Sequence, residues 1–205
     1  MDKIRTYFPQ LTAAQLSSYE QLFDLYKDWN EKINVISRKD IENFYERHVL
    51  HSLAIAQFTE FKNATKIMDL GTGGGFPGIP LAIFYPECRF HLVDSIGKKL
   101  KVIDAVVEAL ALKNVFTFHA RAEDMPYQYD FVVSRAVAPL PELLAWSKRK
   151  YADKDNNRLK NGLICLKGGN LEEELKPVKN AVITPISNYY KEEFFADKSI
   201  VYVQH

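Results

Sequence analysis

Five of the nine glycines in this 205-residue chain fall between positions 71 and 78, in the run Asp69-Leu70-Gly71-Thr72-Gly73-Gly74-Gly75-Phe76-Pro77-Gly78. Glycines grouped this way let the backbone turn with positive φ and let a ligand lie against bare peptide. Three ligand-binding loops share this look, and the neighbouring residues separate them. A phosphate-cradling P-loop requires Lys and then Ser or Thr after its last glycine, but Ile79-Pro80 follow Gly78. The dinucleotide fingerprint G-x-G-x-x-G requires glycine where Phe76 stands, and a phenyl ring crowds the helix start on which a pyrophosphate sits. The remaining pattern, acidic-x-G-x-G-x-G, is met by Asp69, Gly71, Gly73 and Gly75.

That pattern suits S-adenosylmethionine. This ligand carries ammonium and sulfonium cations and no phosphate, so a carboxylate at Asp69 is expected to serve it better than a helix dipole. The next strand should then end in an acid that grips the ribose hydroxyls, and Asp94 closes the run Phe90-His91-Leu92-Val93-Asp94. After the third strand, Arg121-Ala122-Glu123-Asp124 offers backbone and a carboxylate for the adenine. Arg135 follows the fourth strand at the carboxyl edge of the sheet, where its guanidinium could meet an RNA phosphate, a guanine edge or the cofactor. The plainer alternative is an ion pair with Glu123 or Asp124. His48 falls on the apolar side of its helix and reads as a core histidine, and no metal-ligand spacing is visible.

The elements that position these residues follow from periodicity. Thr12-Ala13-Ala14-Gln15 has the form of a capping box, and Leu16, Tyr19, Phe23, Tyr26, Trp29 and Ile33 then recur on one helix face. A second helix is expected over Asp40–Phe58. Residues 1–60 are therefore read as a helical cap on residues 61–205. From Thr65 onward, strands at Lys66–Asp69, Phe90–Asp94, Val115–His119, Phe131–Ser134 and Leu163–Leu166 alternate with helices at Ile79–Phe84, Lys98–Leu110, Pro139–Tyr151 and Leu171–Lys176. Such alternation implies a mostly parallel sheet with helices on both faces, an α/β Rossmann-like architecture. Two last strands, Ala181–Ile186 and Ser199–Val203, have no helix between them and must pair antiparallel or sit apart.

Composition sets the outer bounds. With 47% hydrophobic and 26% charged residues, the chain is neither disordered nor collagen-like. Cys88 and Cys165 are too few for a disulfide framework. The start, Met1-Asp2-Lys3-Ile4-Arg5, has charges where a signal peptide needs apolar residues, and a cytoplasmic protein without membrane contact is expected. The net charge of +1 hides an uneven distribution. Basic residues gather at Lys98, Lys99 and Lys101, and again at Lys148, Arg149, Lys150, Lys154, Arg158, Lys160 and Lys167. Lys98, Lys99, Arg121 and Lys167 all follow strand ends, and with the 147–167 run they are expected to form one RNA-binding rim.

Taken in order, these segments resemble one family over nearly the whole chain. Asp69 to Ile83, Leu92-Val93-Asp94-Ser95 with Lys98-Lys99, Arg121-Ala122-Glu123-Asp124, Val133-Ser134-Arg135-Ala136, and also Trp29-Asn30-Glu31-Lys32-Ile33-Asn34, Arg47-His48 and Leu166-Lys167-Gly168 are similar to ribosomal RNA small-subunit methyltransferase G, the glucose-inhibited division protein B family. The resemblance implies a Rossmann-like methyltransferase fold. It also implies N7-methylation of one guanine in bacterial 16S rRNA, free or in a small-subunit particle, with S-adenosylmethionine as donor, S-adenosylhomocysteine as product and no metal or obligate protein partner. It places Gly71, Phe76, the Ala122-Glu123 backbone and Arg135 on the family's cofactor-binding positions. Two cap residues depart from it: Ile36 stands where the family commonly has Thr, and His51 where it has Asp.

N7 chemistry agrees with the fourth-strand segment. Exocyclic-amine methylation commonly uses Asp/Asn-Pro-Pro-aromatic there, whereas this chain reads Ser134-Arg135-Ala136-Val137-Ala138-Pro139. Neither cysteine has the setting of a nucleophile for pyrimidine C5. The rival readings are a methyltransferase for a small molecule or protein, a non-catalytic rRNA-binding protein, and a nicotinamide oxidoreductase, the last weakened by Phe76.

Overall fold

Apolar runs bounded by turn residues place seven strands in one sheet. The computed structural model describes residues 1–205, apart from the side chains of Arg38 and Lys39. Strands β1 (Lys66–Leu70), β2 (Arg89–Asp94), β3 (Val115–His119), β4 (Phe131–Arg135) and β5 (Gly162–Gly168) run parallel. The final pair, β6 (Ala181–Pro185) and β7 (Lys198–Gln204), is antiparallel, and β7 inserts between β5 and β6. The sheet order is β3-β2-β1-β4-β5-β7-β6, so strand order reverses between β1 and β4. At such a switch point the connections leave in opposite directions and open a crevice at the carboxyl ends of the strands.

Helices cover this sheet. On one side lie α2 (Ala13–Lys32), α4 (His51–Phe58), α5 (Gly78–Phe84) and α6 (Gly97–Ala109), and on the other α7 (Leu140–Ser147). The short α1 (Asp2–Tyr7), α3 (Arg38–Ile41) and α8 (Glu172–Leu175) complete the set. The capping box forms: Thr12 accepts from Gln15 N, and the Gln15 side chain accepts from Thr12 N. The buried face of α2 also reaches the glycine loop and α5, with Tyr26 donating to Gly74 O at 2.6 Å and Tyr19 to Pro80 O at 2.8 Å. Cap and sheet thus share one apolar cluster, which runs from Ile4 through Tyr26 and Phe76 to Tyr202. Among the described residues, no helix is long and apolar enough to cross a membrane.

Two helices differ from expectation. Asp40–Phe58 is not continuous: α3 stops at Ile41, and a π-helical turn over Tyr45–Leu50 leads into α4. The wider turn shifts the phase of the inward face, and His48 through Ile55 are buried without interruption because the segment is covered on all sides. The helix expected over Pro139–Tyr151 ends at Ser147, because Lys150 turns inward to donate to Met125 O at 2.6 Å and Tyr151 pairs with Tyr129.

Candidate functional site

The crevice at the switch point is a cleft of about 1220 Å³, walled by the glycine loop, the ends of β2 to β5 and the π-helical turn. Gly71, Gly73 and Gly75 adopt positive φ. Gly71 faces the cleft, where a Cβ would come within 2.6 Å of the Val137 side chain. Gly75 points inward, where a Cβ would meet Ile79 at 2.8 Å and the Tyr26 hydroxyl at 2.9 Å. It lets the loop close on the cap rather than face a ligand.

Asp69 also lies behind the loop, fully buried and off the cleft wall. Its Oδ2 accepts from Thr72 Oγ1 and from Gly78 N, both at 2.7 Å, and burial pushes the carboxyl up to about 7. The expected direct attraction for a donor cation is therefore corrected. Asp69 shapes the loop by satisfying two donors that the turn would otherwise orphan.

Asp94 does reach the cleft. Oδ2 accepts from Gly73 N at 2.9 Å and Oδ1 from Ile96 N at 2.8 Å, which couples the end of β2 to the loop. Each carboxylate oxygen can accept a further bond, so acceptor capacity remains for hydroxyls. Ala122 and Glu123 face the same part of the cleft from a 3₁₀ turn after β3.

Arg135 lies across the cleft from Asp94's end of the sheet, at the close of β4. It does not pair with Glu123 or Asp124, and among the described residues it makes no ion pair. Its Nη1 donates to Arg47 O at 3.0 Å, its Nη2 to His48 Nδ1 at 2.9 Å, and its guanidinium stacks 5.0 Å from the Phe76 ring. Burial pushes its pKa down to about 10, so it stays charged at neutral pH. The nearby Asp69 and Asp40 carboxylates favour its charge without pairing with it, and an enclosed cation with no direct carboxylate partner suits an anionic ligand.

His48 is the residue sequence reasoning missed. Because Nδ1 accepts from Arg135, the proton of a neutral imidazole must sit on Nε2. That Nε2 is buried and without a partner, in a residue of the cleft lining. Burial, then the Arg135 charge, pushes the pKa down to about 3. His51 stands beside it with an unpartnered Nε2 and a pKa well below the usual value, again through burial first. The Arg47-His48 pair in the sequence was the available signal, but helical periodicity assigned it to the core.

The expected basic rim divides. Lys99, 3.9 Å from Asp94 Oδ2, and the exposed Arg121, 4.0 Å from Glu123, edge the cleft, while Lys98 is exposed beside it. Lys167 is corrected: it is buried, and its Nζ donates to Ala138 O at 2.6 Å and pairs with Glu174 Oε1 at 2.5 Å. This pair braces the segment after β4 instead of presenting a charge to phosphate. The 147–160 run begins at the opposite edge of the sheet, with Arg149 near the starts of β1 and β2.

Comparison with known proteins agrees with this geometry. The family model described as rRNA small subunit methyltransferase G (GidB) matches residues 15–198. A protein named Ribosomal RNA small subunit methyltransferase G from Bacteroides thetaiotaomicron is 58% identical over 205 residues, all of both chains. Its namesake from Christiangramia forsetii is 53% identical over 99% of this chain and 96% of that one. Among solved structures, MtNAS in complex with MTA and tNA is similar with TM-score 0.62 at 12% identity, over 94% of this chain and 70% of that one. Precorrin-6y C5,15-methyltransferase from Geobacter metallireducens is similar with TM-score 0.54 at 11% identity, over 84% and 92%. These two likenesses speak for the Rossmann-like fold alone, whereas the near relatives speak for descent. The chain belongs to the rRNA small subunit methyltransferase G family.

Proposed function

We propose that the chain transfers the methyl group of S-adenosylmethionine to N7 of one guanine in 16S rRNA, working in the cytoplasm on the RNA or on a small-subunit particle. The observation that carries this reading is the pairing of Arg135 and His48 at one side of the cleft with Asp94 at the other. The donor is a zwitterion joined to a nucleoside. Arg135 and the Nε2–H of His48 would hold its carboxylate, Asp94 its ribose hydroxyls, and Ala122-Glu123 its adenine, while Gly73, whose Cβ position is open, leaves room above the loop.

When bound, the donor supplies an electrophilic methyl. Guanine N7 has an in-plane lone pair and no proton to lose, so the protein need only orient it and exclude water. The side chains fit that undemanding role. Three carboxylates on the cleft wall are already engaged, Asp94 by backbone amides, Glu174 by Lys167 and Asp197 by Lys198, and Glu123 is exposed 4.0 Å from Arg121. The two histidines are neutral. Cys88 and Cys165 are buried off the wall, with thiols that burial pushes up to about 11 and about 12, which removes them as nucleophiles. Incubation of purified small-subunit RNA with labelled donor tests the reading. Label should enter RNA with the natural chain and fall at least tenfold with Asp94→Ala; label that stays out of RNA contradicts it.

A further inference from the structure

The parallel strands begin on the edge of the sheet opposite the cleft, and one face there lacks a helix. The β3–β4 connection is only a 3₁₀ turn at Ala122–Asp124 followed by irregular chain to Asp130. On β2 and β3, on the side that includes Met68 and Val93, aromatic rings stand where a crossover helix would otherwise pack. His91 lies 5.7 Å from Phe116, 4.8 Å from Phe118 and 5.0 Å from Tyr127. Phe116 and Tyr127 are 42% and 46% exposed, which is unusual for rings of this size in a sheet protein.

Cations surround these rings. Lys66 and Arg89 are register partners at the starts of β1 and β2, and the Arg89 guanidinium lies 5.5 Å from the Phe116 ring. With His91, Tyr127, Tyr129 and Arg149 they line a hollow of about 650 Å³, the size of a small-ligand site. Lys66, Arg89 and Arg149 are exposed and make no ion pair among the described residues. The carboxylate on this wall, Asp130, is spent internally, accepting from Lys66 N at 2.8 Å and Asn156 Nδ2 at 3.1 Å. The hollow and the exposed Phe116 beside it therefore present positive charge and part-exposed aromatic rings together. Single-stranded RNA needs both, since its bases stack on aromatic rings and its phosphates pair with cations.

We propose that this face is a second RNA-contact surface, which holds an unpaired segment of the substrate RNA through Lys66, Arg89 and Arg149 with bases against Phe116 and Tyr127. The inference rests on the reading of the cleft as an rRNA methyltransferase site. Strand β2 from Arg89 to Asp94 separates the two sites by roughly 17 Å at about 3.3 Å per residue, so one folded RNA can touch both. The surface would set which RNA is engaged without touching the methyl transfer itself.

The test uses in vitro transcribed 16S rRNA, the full-length chain and two variants, one Lys66→Gln/Arg89→Gln/Arg149→Gln and one Phe116→Ala/Tyr127→Ala. The charge variant should bind RNA tenfold or more weakly, with the slope of log affinity against log salt shallower by about two. The ring variant should lose about fivefold to a hundredfold in affinity with the salt slope kept. In both, calorimetric binding of S-adenosylmethionine and single-turnover transfer at saturating RNA should match the natural chain. Natural RNA affinity and salt slope in both variants, while the natural chain methylates that RNA, overturn the proposal and leave the cleft reading intact. Variants normal on free RNA but impaired on assembled particles also overturn it, in favour of a protein partner. A natural chain that binds donor yet neither binds nor methylates RNA overturns the cleft reading, and this surface with it.

Discussion

Arg135 donates through Nη2 to Nδ1 of His48 across 2.9 Å, and this one bond fixes where the histidine keeps its proton. The neighbouring Nη1 is held by Arg47 O, so both arms of the guanidinium fork are anchored on the π-helical turn. A lysine has the charge but not the fork. Arg135→Lys should weaken donor binding by about ten- to hundredfold, the scale of lost hydrogen bonds to a charged group, and slow single-turnover transfer at saturating RNA. Circular dichroism should show the fold intact. His48→Asn keeps an acceptor for Arg135 but lacks Nε2–H, and should cost a smaller factor, about two- to tenfold. Near-natural donor binding in both variants would reduce the pair to packing.

Neutral burial of His48 has a consequence for stability. Its folded pKa of about 3 lies below the unfolded value near 6.5, so the unfolded chain binds more protons between those limits. The contribution is present above pH ~6.5 and is lost as pH falls toward about 3; His51 acts in the same direction. Urea unfolding should give a stability lower at pH 5.5 than at pH 7.5 by about 1 to 3 kcal/mol, at up to ~1.4 kcal/mol per unit for each histidine. His48→Asn should flatten this dependence. A variant as acid-sensitive as the natural chain contradicts the assignment.

Asp69 and Asp94 should separate under substitution. If Asp69 only shapes the loop, Asp69→Asn leaves donor affinity within about threefold of natural. Asp69→Ala should cost about 1–3 kcal/mol of stability, by leaving Thr72 Oγ1 and Gly78 N without an acceptor. Asp94→Ala should lower donor affinity about ten- to hundredfold in calorimetry. A loss for Asp69→Asn as large as for Asp94→Ala would restore a direct electrostatic role.

Lys167→Met tests the internal brace. It leaves Glu174, whose side chain is 22% exposed, without its cation, and should destabilise by about 1–3 kcal/mol in denaturant. The salt slope of RNA binding should stay the same. A slope shallower by about one with no loss of stability would return Lys167 to the phosphate-binding rim.

The glycine loop, Asp94 and Arg135 were legible in the sequence because each sits at a strand end whose apolar run is easy to read. All five parallel strands were found within a residue or two for the same reason. What escaped was fixed by tertiary contacts. The π-helical turn leaves no periodic signature, so His48 looked like core when it lines the cleft beside His51. Lys167 resembled any other strand-end lysine until Glu174 and Ala138 O met it. The 147–167 run looked like one charged segment, but the chain turns at Ser147, buries Lys150, and carries Arg149 to the far pole of the sheet.

Borohydride reduction and aniline cleavage of 16S rRNA, combined with mass mapping, bears most directly on the central claim, because a guanine methylated at N7 becomes the point of scission. RNA treated with this protein and S-adenosylmethionine should break at one guanine, and the fragment there should carry one methyl group. No new scission, or a methyl group mapped to an exocyclic amine or to a pyrimidine, would contradict the assignment of N7 chemistry to the Arg135 cleft.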